Sequence, residues 1–339
     1  MRTYSFLGLV LALGFVRALS ASAVTAPVAT TDLVWHDVAR NRDVPARLYY
    51  PAGDARGPFP VIVFSHGLGG SREGYRYLGE YWAAHGYVSV HLQHPGSDVA
   101  VWQGQPPRQI ARRMKAAVMD PANAINRPLD VRFAIDELER LARDPHFVLH
   151  DRLDLSRLGI AGHSFGAYTV LAVSGQVIAG GLGPAKSLGP DPRVKAAIAM
   201  SSQRPRRGDL DVAYDPIAIP VFHMTGTADG SGRNAAHGND LGVGNSTPAD
   251  RRVAYDHTRH APAYLLTFTG GDHMVFSGQR RRGAGTHDKE FHDLILRASV
   301  AFWDAELKGD AAARQWLAGG GFAKELGALG TFEQKRPAR

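Results

Sequence analysis

The chain has 339 residues, 44% of them hydrophobic, and carries a formal charge of +7, which is enough apolar material for a large buried core. It contains no cysteine, and this excludes disulfides, a thiol nucleophile and thiolate-bound zinc. No interior stretch is apolar for long enough to span a bilayer, no internal repeat appears, and basic residues do not interleave with aromatic ones as on a nucleic-acid surface.

In chain order, residues 1–23 (MRTYSFLGLVLALGFVRALSASA) combine a positive Arg2, an apolar run from Phe6 to Val16, and the small residues Ala21-Ser22-Ala23. That is the order of a cleaved secretory signal. The alternative, a membrane anchor, needs a longer apolar run. Export to the periplasm or beyond is expected, with no stable membrane insertion after cleavage and one domain over 24–339. The runs LVWHDVA (33–39) and VPARLYY (44–50) read as an antiparallel pair around a polar turn. Six apolar runs follow with the character of buried strands: VIVFS (61–65), YVSVHL (87–92), LGIAG (158–162), VKAAIAM (194–200), VFHMTG (221–226) and AYLLTF (263–268). Helical faces lie between most of them, as with Tyr75, Leu78, Tyr81 and Trp82, or Val131, Ile135, Leu138 and Leu141. Phe291, Ile295, Ala298 and Phe302 form a further face after the last run. The alternation predicts an α/β class: a mainly parallel sheet of about eight strands with helices on both faces.

Two excursions interrupt this rhythm. Residues 95–127 hold a basic amphipathic piece with Ile110, Met114 and Val118 on one side, expected as a pocket wall or lid. Residues 229–261 are rich in Gly, Asn, Asp and His. Arginines cluster in 201–209 and 278–285. They read either as solvated loops or as attraction for an anionic surface.

The segment RLGIAGHSFGAYTVL (157–171) carries the chemistry. Gly162-His163-Ser164-Phe165-Gly166 fits G-x-S-x-G between a buried strand and a small-residue helix, the context of a nucleophile elbow. An attacking serine needs donors for its oxyanion. Ser65-His66-Gly67-Leu68-Gly69-Gly70 follows the first buried strand, so the N–H groups of Leu68 and Phe165 are the expected pair. The base is expected last in the chain, and His273 in FTGGDHMVF follows the final run. Asp229, just past the penultimate run, is the expected acid, ahead of the adjacent Asp272 and of Asp120, Asp240 and Asp250. His257 and His260 with one nearby acid fall short of a metal set, so no metal is expected. Trp102, Phe165 and Met274 are candidates for an apolar acyl pocket, or for ordinary packing.

The stretch VIVFSHGLGGSREGYRYLGEYWAAHGYVSV together with GHSFGAYTV resembles bacterial α/β-hydrolases of the dienelactone-hydrolase-like group and platelet-activating-factor acetylhydrolases. The resemblance implies an α/β-hydrolase fold, Ser-His-Asp chemistry and no cofactor. Dienelactone hydrolases use a cysteine that this chain lacks. The acetylhydrolases take their acid after the strand following the elbow, which here ends AIAMSSQ with no aspartate. The expectation is an exported serine hydrolase of small-molecule or polymeric carboxylic esters working through an acyl-enzyme. An amidase or peptidase, a polyester hydrolase, or a silent binding protein of the same fold stand as alternatives.

Overall fold

In the computed structural model, which describes residues 26–177, 188–231, 246–279 and 287–337, the apolar runs assemble into a nine-stranded sheet. Strands β1 (Val28–Asp37) and β2 (Arg42–Pro51) form the expected antiparallel pair, both starting earlier than the sequence pattern indicated. The centre comprises β3 (Phe59–Ser65), β4 (Val88–Leu92), β5 (Leu153–His163), β6 (Val194–Met200), β7 (Val221–Ala228) and β8 (Ala263–Asp272). The order is β1-β2-β4-β3-β5-β6-β7-β8-β9, with all pairings from β4 to β8 parallel. This is the α/β-hydrolase fold. The strand beyond the expected eight is β9 (Gly330–Lys335), antiparallel on the edge of β8. Its sequence GTFEQK has one large apolar residue, Phe332, which packs on Phe222 and Tyr264. So short and polar an edge strand gives almost no periodic signal.

Side-chain alternation divides the core between the two faces of the sheet. Val61 and Val63 of β3 join Leu138 and Leu171 on one face, and Ile62 and Phe64 join Trp82 and Phe302 on the other. The first face is covered by α3 (Pro121–Leu141) and α4 (Phe165–Val173). The second is covered by α1 (Arg76–Ala84) and α7 (Asp288–Leu307). In α1, Leu78 and Trp82 are buried as expected, but Tyr75 stands just outside the helix in a left-handed conformation (φ 59°).

Both excursions contain regular structure. Within 95–127 lie α2 (Pro107–Met119) and the start of α3, where Asp120 caps the helix by accepting from Ala122 N–H. Within 229–261, Thr247 and Asp250 form a capping box that starts helix Pro248–His257. That helix is α6, after the short α5 (Leu210–Tyr214). The N-terminal segment 1–23, Asp240 and the arginines at 280–282 lie outside the described residues.

Candidate active site

Strands β5, β6, β7 and β8 lie side by side and parallel, so their C-terminal ends bring four loops together. The end of β5 is the elbow. Ser164 has φ 56° and ψ −116°, a conformation side chains rarely adopt, and its N–H is held by Met200 O at 2.9 Å. The flanking glycines are required by close approach. A Cβ on Gly166 would stand 1.9 Å from Ser65 O, and one on Gly162 would stand 2.5 Å from Gly166 O. The turn therefore packs directly against the end of β3.

His273, following β8, reaches back over this turn. Its Nε2 lies 2.9 Å from Ser164 Oγ, and its Nδ1 lies 2.9 Å from Asp229 Oδ1. Asp229 is wholly buried and surrounded by donors: Thr225 Oγ1 at 2.9 Å, Ser201 Oγ at 2.9 Å and Arg251 Nε at 3.2 Å. Burial alone would raise its carboxyl, but Arg251 and the hydrogen bonds from His273 and Ser201 outweigh it. The group is held well below the ordinary carboxylate range and is ionised at neutral pH. An ionised Asp229 accepts from Nδ1–H, which leaves Nε2 as the acceptor facing the serine. Asp272, by contrast, accepts from the N–H groups of Met274 (2.8 Å) and Val275 (3.1 Å), bracing its own turn.

The loop after β3 carries Leu68. Its neighbours are engaged: Gly67 N–H donates to Tyr75 Oη (3.4 Å), Gly69 N–H to Ser97 O (2.8 Å) and Gly70 N–H to Gly67 O (3.1 Å). Among the described residues, neither Leu68 nor Phe165 N–H has a hydrogen-bond partner. Phe165 begins α4, so its N–H adds to the positive end of that helix.

Under this loop lies a polar network with no local signature in the sequence. Arg127 of α3 is fully buried and donates to Thr169 Oγ1 (2.9 Å), Ser97 Oγ (2.9 Å), Ser65 Oγ (3.0 Å) and His66 O, with its guanidinium 4.5 Å from the Phe165 ring centre. Ser65 passes the chain on to His94 Nε2 (2.9 Å), and His94 Nδ1–H donates to Asp130 (2.9 Å). A second relay joins the loop to His273. Gly67 N–H meets Tyr75 Oη, Tyr75 Oη lies 2.7 Å from His163 Nδ1, and His163 Nε2 lies 2.8 Å from His273 O. Burial holds His163 well below its usual value and so neutral. Its Nε2–H therefore donates to the carbonyl and Nδ1 accepts from the tyrosine. Ser201, Thr225, Arg251, Arg127 and Tyr75 all lie outside any local motif. Ser201 was noted only as part of AIAMSSQ, a strand end without an aspartate.

A cavity of about 1220 Å³ opens above these groups. Leu68, Trp102, Met119, Ile125, Tyr168 and Met274 supply its apolar wall, and Phe165 also reaches it. Val99, Trp102, Met119 and Ile125 of this lining come from the 95–127 excursion. Arg204, Arg206 and Arg207 are exposed and stand at the rim of the same cavity. Arg206 rests on Met119 Sδ and Arg204 faces Asp250 at 3.7 Å. His257 and His260 pair separately, with Asp211 and with Asp215 (2.8 Å). Among the described residues no cluster of three metal-binding side chains occurs.

The comparisons with known proteins agree with the resemblance already drawn. The profile of the family described as platelet-activating factor acetylhydrolase, isoform II, matches residues 21–105, which include the Leu68 loop and stop short of Ser164. The platelet-activating factor acetylhydrolase of Cavia porcellus is 26% identical over 283 residues, covering 76% of this chain and 60% of the relative. Those of Canis lupus familiaris and Bos taurus are each 23% identical over 202 residues, covering 49% of this chain and 39% of theirs. The chain spans between about two fifths and three fifths of the length of these curated relatives.

Proposed function

We propose that the protein is an exported serine hydrolase of carboxylic esters, with Ser164 as nucleophile, His273 as general base and Asp229 as the acid that orients it. One observation carries the reading: a single imidazole stands 2.9 Å from the strained serine on one nitrogen and 2.9 Å from a buried carboxylate on the other. In acylation, His273 Nε2 takes the Ser164 proton as Oγ attacks the ester carbonyl. The N–H groups of Leu68 and Phe165 receive the oxyanion. Collapse breaks the bond to the alcohol, which leaves with the proton from His273. Water, deprotonated by the same imidazole, then frees the acid and restores the serine.

The substrate enters the 1220 Å³ cavity with its acyl group against Trp102 and Met274. The relatives are named acetylhydrolases, which makes short acyl esters the first substrates to try. Export is assigned to the 1–23 segment, and N-terminal sequencing of the protein from culture supernatant or periplasm tests it. For the activity, p-nitrophenyl acetate and butyrate are the test substrates. The wild-type protein turns them over, and Ser164→Ala lowers kcat by about 10⁴-fold or more. Undiminished turnover in a folded Ser164→Ala protein removes the assignment.

A further inference from the structure

Two serines, not one, hold the His273 imidazole. Ser164 Oγ lies 2.9 Å from Nε2, and Ser201 Oγ lies 2.7 Å from Nδ1. They follow the ends of the neighbouring parallel strands β5 and β6, and both have φ 56°. Left-handed backbone at a non-glycine residue costs about 1 kcal/mol or more and persists only where surroundings hold it. At Ser164 the elbow accounts for it. At Ser201 no elbow follows. What the conformation does there is aim a fully buried hydroxyl at the acid and the base together.

The hydrogen-bond roles are fixed by the neighbours. Asp229 is ionised and accepts only, so Ser201 O–H donates to its Oδ1 at 2.9 Å. The serine oxygen is then free to accept, and the Nδ1–H of His273 lies 2.7 Å from it. That N–H is shared between a carboxylate oxygen at 2.9 Å and a hydroxyl oxygen at 2.7 Å. Arg251 closes the arrangement from behind. Its Nη1 approaches Ser201 O (3.5 Å) and Ser202 O (3.3 Å), while its Nε is 3.2 Å from Asp229 Oδ1. Ser201 N–H is anchored to Met224 O at 2.7 Å.

We propose that Ser201 is a positioning residue for His273, a fourth member of the catalytic set that holds the ring by accepting from Nδ1–H while donating to Asp229. The proposal rests on the serine-hydrolase reading above. When His273 takes the serine proton it becomes a cation, and its Nδ1–H then meets two oxygens, one of them on a hydroxyl that already screens the carboxylate. The ring is thereby kept from turning away from Ser164 between proton acceptance and proton return. This action is on the chemical step. It belongs in kcat, with KM nearly unchanged.

The test uses Ser201→Gly and Ser201→Ala in the full chain. Glycine tolerates φ 56°, so relief of strain offsets its added chain entropy and the melting temperature stays within a few degrees of wild type. Both variants are expected to lose roughly 30-fold in kcat on p-nitrophenyl acetate, the scale of one hydrogen bond to a charged group. KM is expected to change by less than about twofold. Because Ser201 acts through the Asp229–His273 pair, adding Ser201→Ala to Asp229→Asn should lower kcat by less than about threefold further. A Ser201→Gly protein with wild-type kcat overturns the proposal. So does a 30-fold loss that persists undiminished in the Asp229→Asn background, since the hydroxyl then acts independently of the pair. A fluorophosphonate probe separates this from the underlying reading. If wild type is not labelled at Ser164, both fall; if it is labelled and the Ser201 variants turn over normally, only the role of Ser201 falls.

Discussion

Two arginines are buried beside the site, one on each side of the elbow, and they live in opposite surroundings. Arg251 lies against the Asp229 carboxylate at 3.2 Å, so its charge is compensated by direct contact. Arg127 donates only to neutral oxygens, those of Thr169, Ser97, Ser65 and His66, and rests on the face of Phe165. Burial pulls Arg127 down to about 9, still protonated at neutral pH. Desolvating a cation without a directly bonded anion is expensive. The acid side holds a permanent anion and neutralises it. Near the N–H groups of Leu68 and Phe165, proposed above as oxyanion donors, Arg127 has no directly bonded anion and meets the Asp130 carboxylate only through Ser65 and His94.

The sharpest way to break this contrast is to remove the permanent anion. Asp229→Asn is expected to lower kcat by about 10⁴-fold, because an amide lets the ring take the wrong tautomer. It also strands Arg251 without its counter-charge, at a cost of about 3 kcal/mol in stability by urea unfolding. Asp272→Asn keeps an oxygen for the N–H groups of Met274 and Val275, so its loss should stay below about tenfold. If Asp272→Asn is the more damaging in kcat, the acid is misassigned.

Acid offers a second probe. Burial lowers His91 to about 3, His94 to about 4 and His223 to about 3, all from an ordinary 6.5. His66 and His163 are lowered too. The unfolded chain takes up these protons as pH falls below 6.5 while the folded chain refuses them, so stability is full above that value and declines beneath it. At pH 5.5 each neutral histidine removes about 1.4 kcal/mol, about 4 kcal/mol for the first three alone. His66 and His94 both adjoin Arg127, so the oxyanion side should loosen first, visible as early amide exchange in residues 65–70. Urea midpoints at pH 7.5, 6.5 and 5.5 measure the loss. Unchanged midpoints over that range contradict it.

A smaller effect is expected from Arg127→Met. With its four bonds gone, the Leu68 loop loses its tie to α4, and kcat should fall about 10- to 100-fold with little change in KM. Arg127→Lys is expected not to restore it, because one ammonium cannot span acceptors on four residues. Normal kcat in both would mean the neutral surroundings of Arg127 have no bearing on the oxyanion. The smallest effect is reserved for the pocket wall. Trp102 donates to Gly69 O at 2.7 Å and lines the cavity. Trp102→Ala should raise KM for butyrate by about three- to tenfold more than for acetate.

Much of this arrangement could be read from the sequence because it is written locally. Ser164 sits in a five-residue pattern at a strand–helix junction, and Asp229, His273 and Leu68 each follow an unbroken apolar run. Strand order then does the rest, since parallel strands put their C-terminal ends on one edge. What escaped has no local signature. Arg127 and Arg251 are charged residues on helices, where a solvated face is the usual reading, and their partners lie far away in sequence. Ser201 was visible only as the absence of an aspartate. β9 escaped because an edge strand needs only one apolar side chain to pack.

The central claim is that Ser164, activated by His273, forms a covalent acyl-enzyme. A fluorophosphonate probe followed by mass mapping of the modified peptide tests it most directly. One adduct per chain is expected on the peptide carrying Ser164, none in Ser164→Ala, and labelling slowed by orders of magnitude in Asp229→Asn. An esterase-active protein that carries no adduct, or carries it on another residue, rules out Ser164 as the nucleophile.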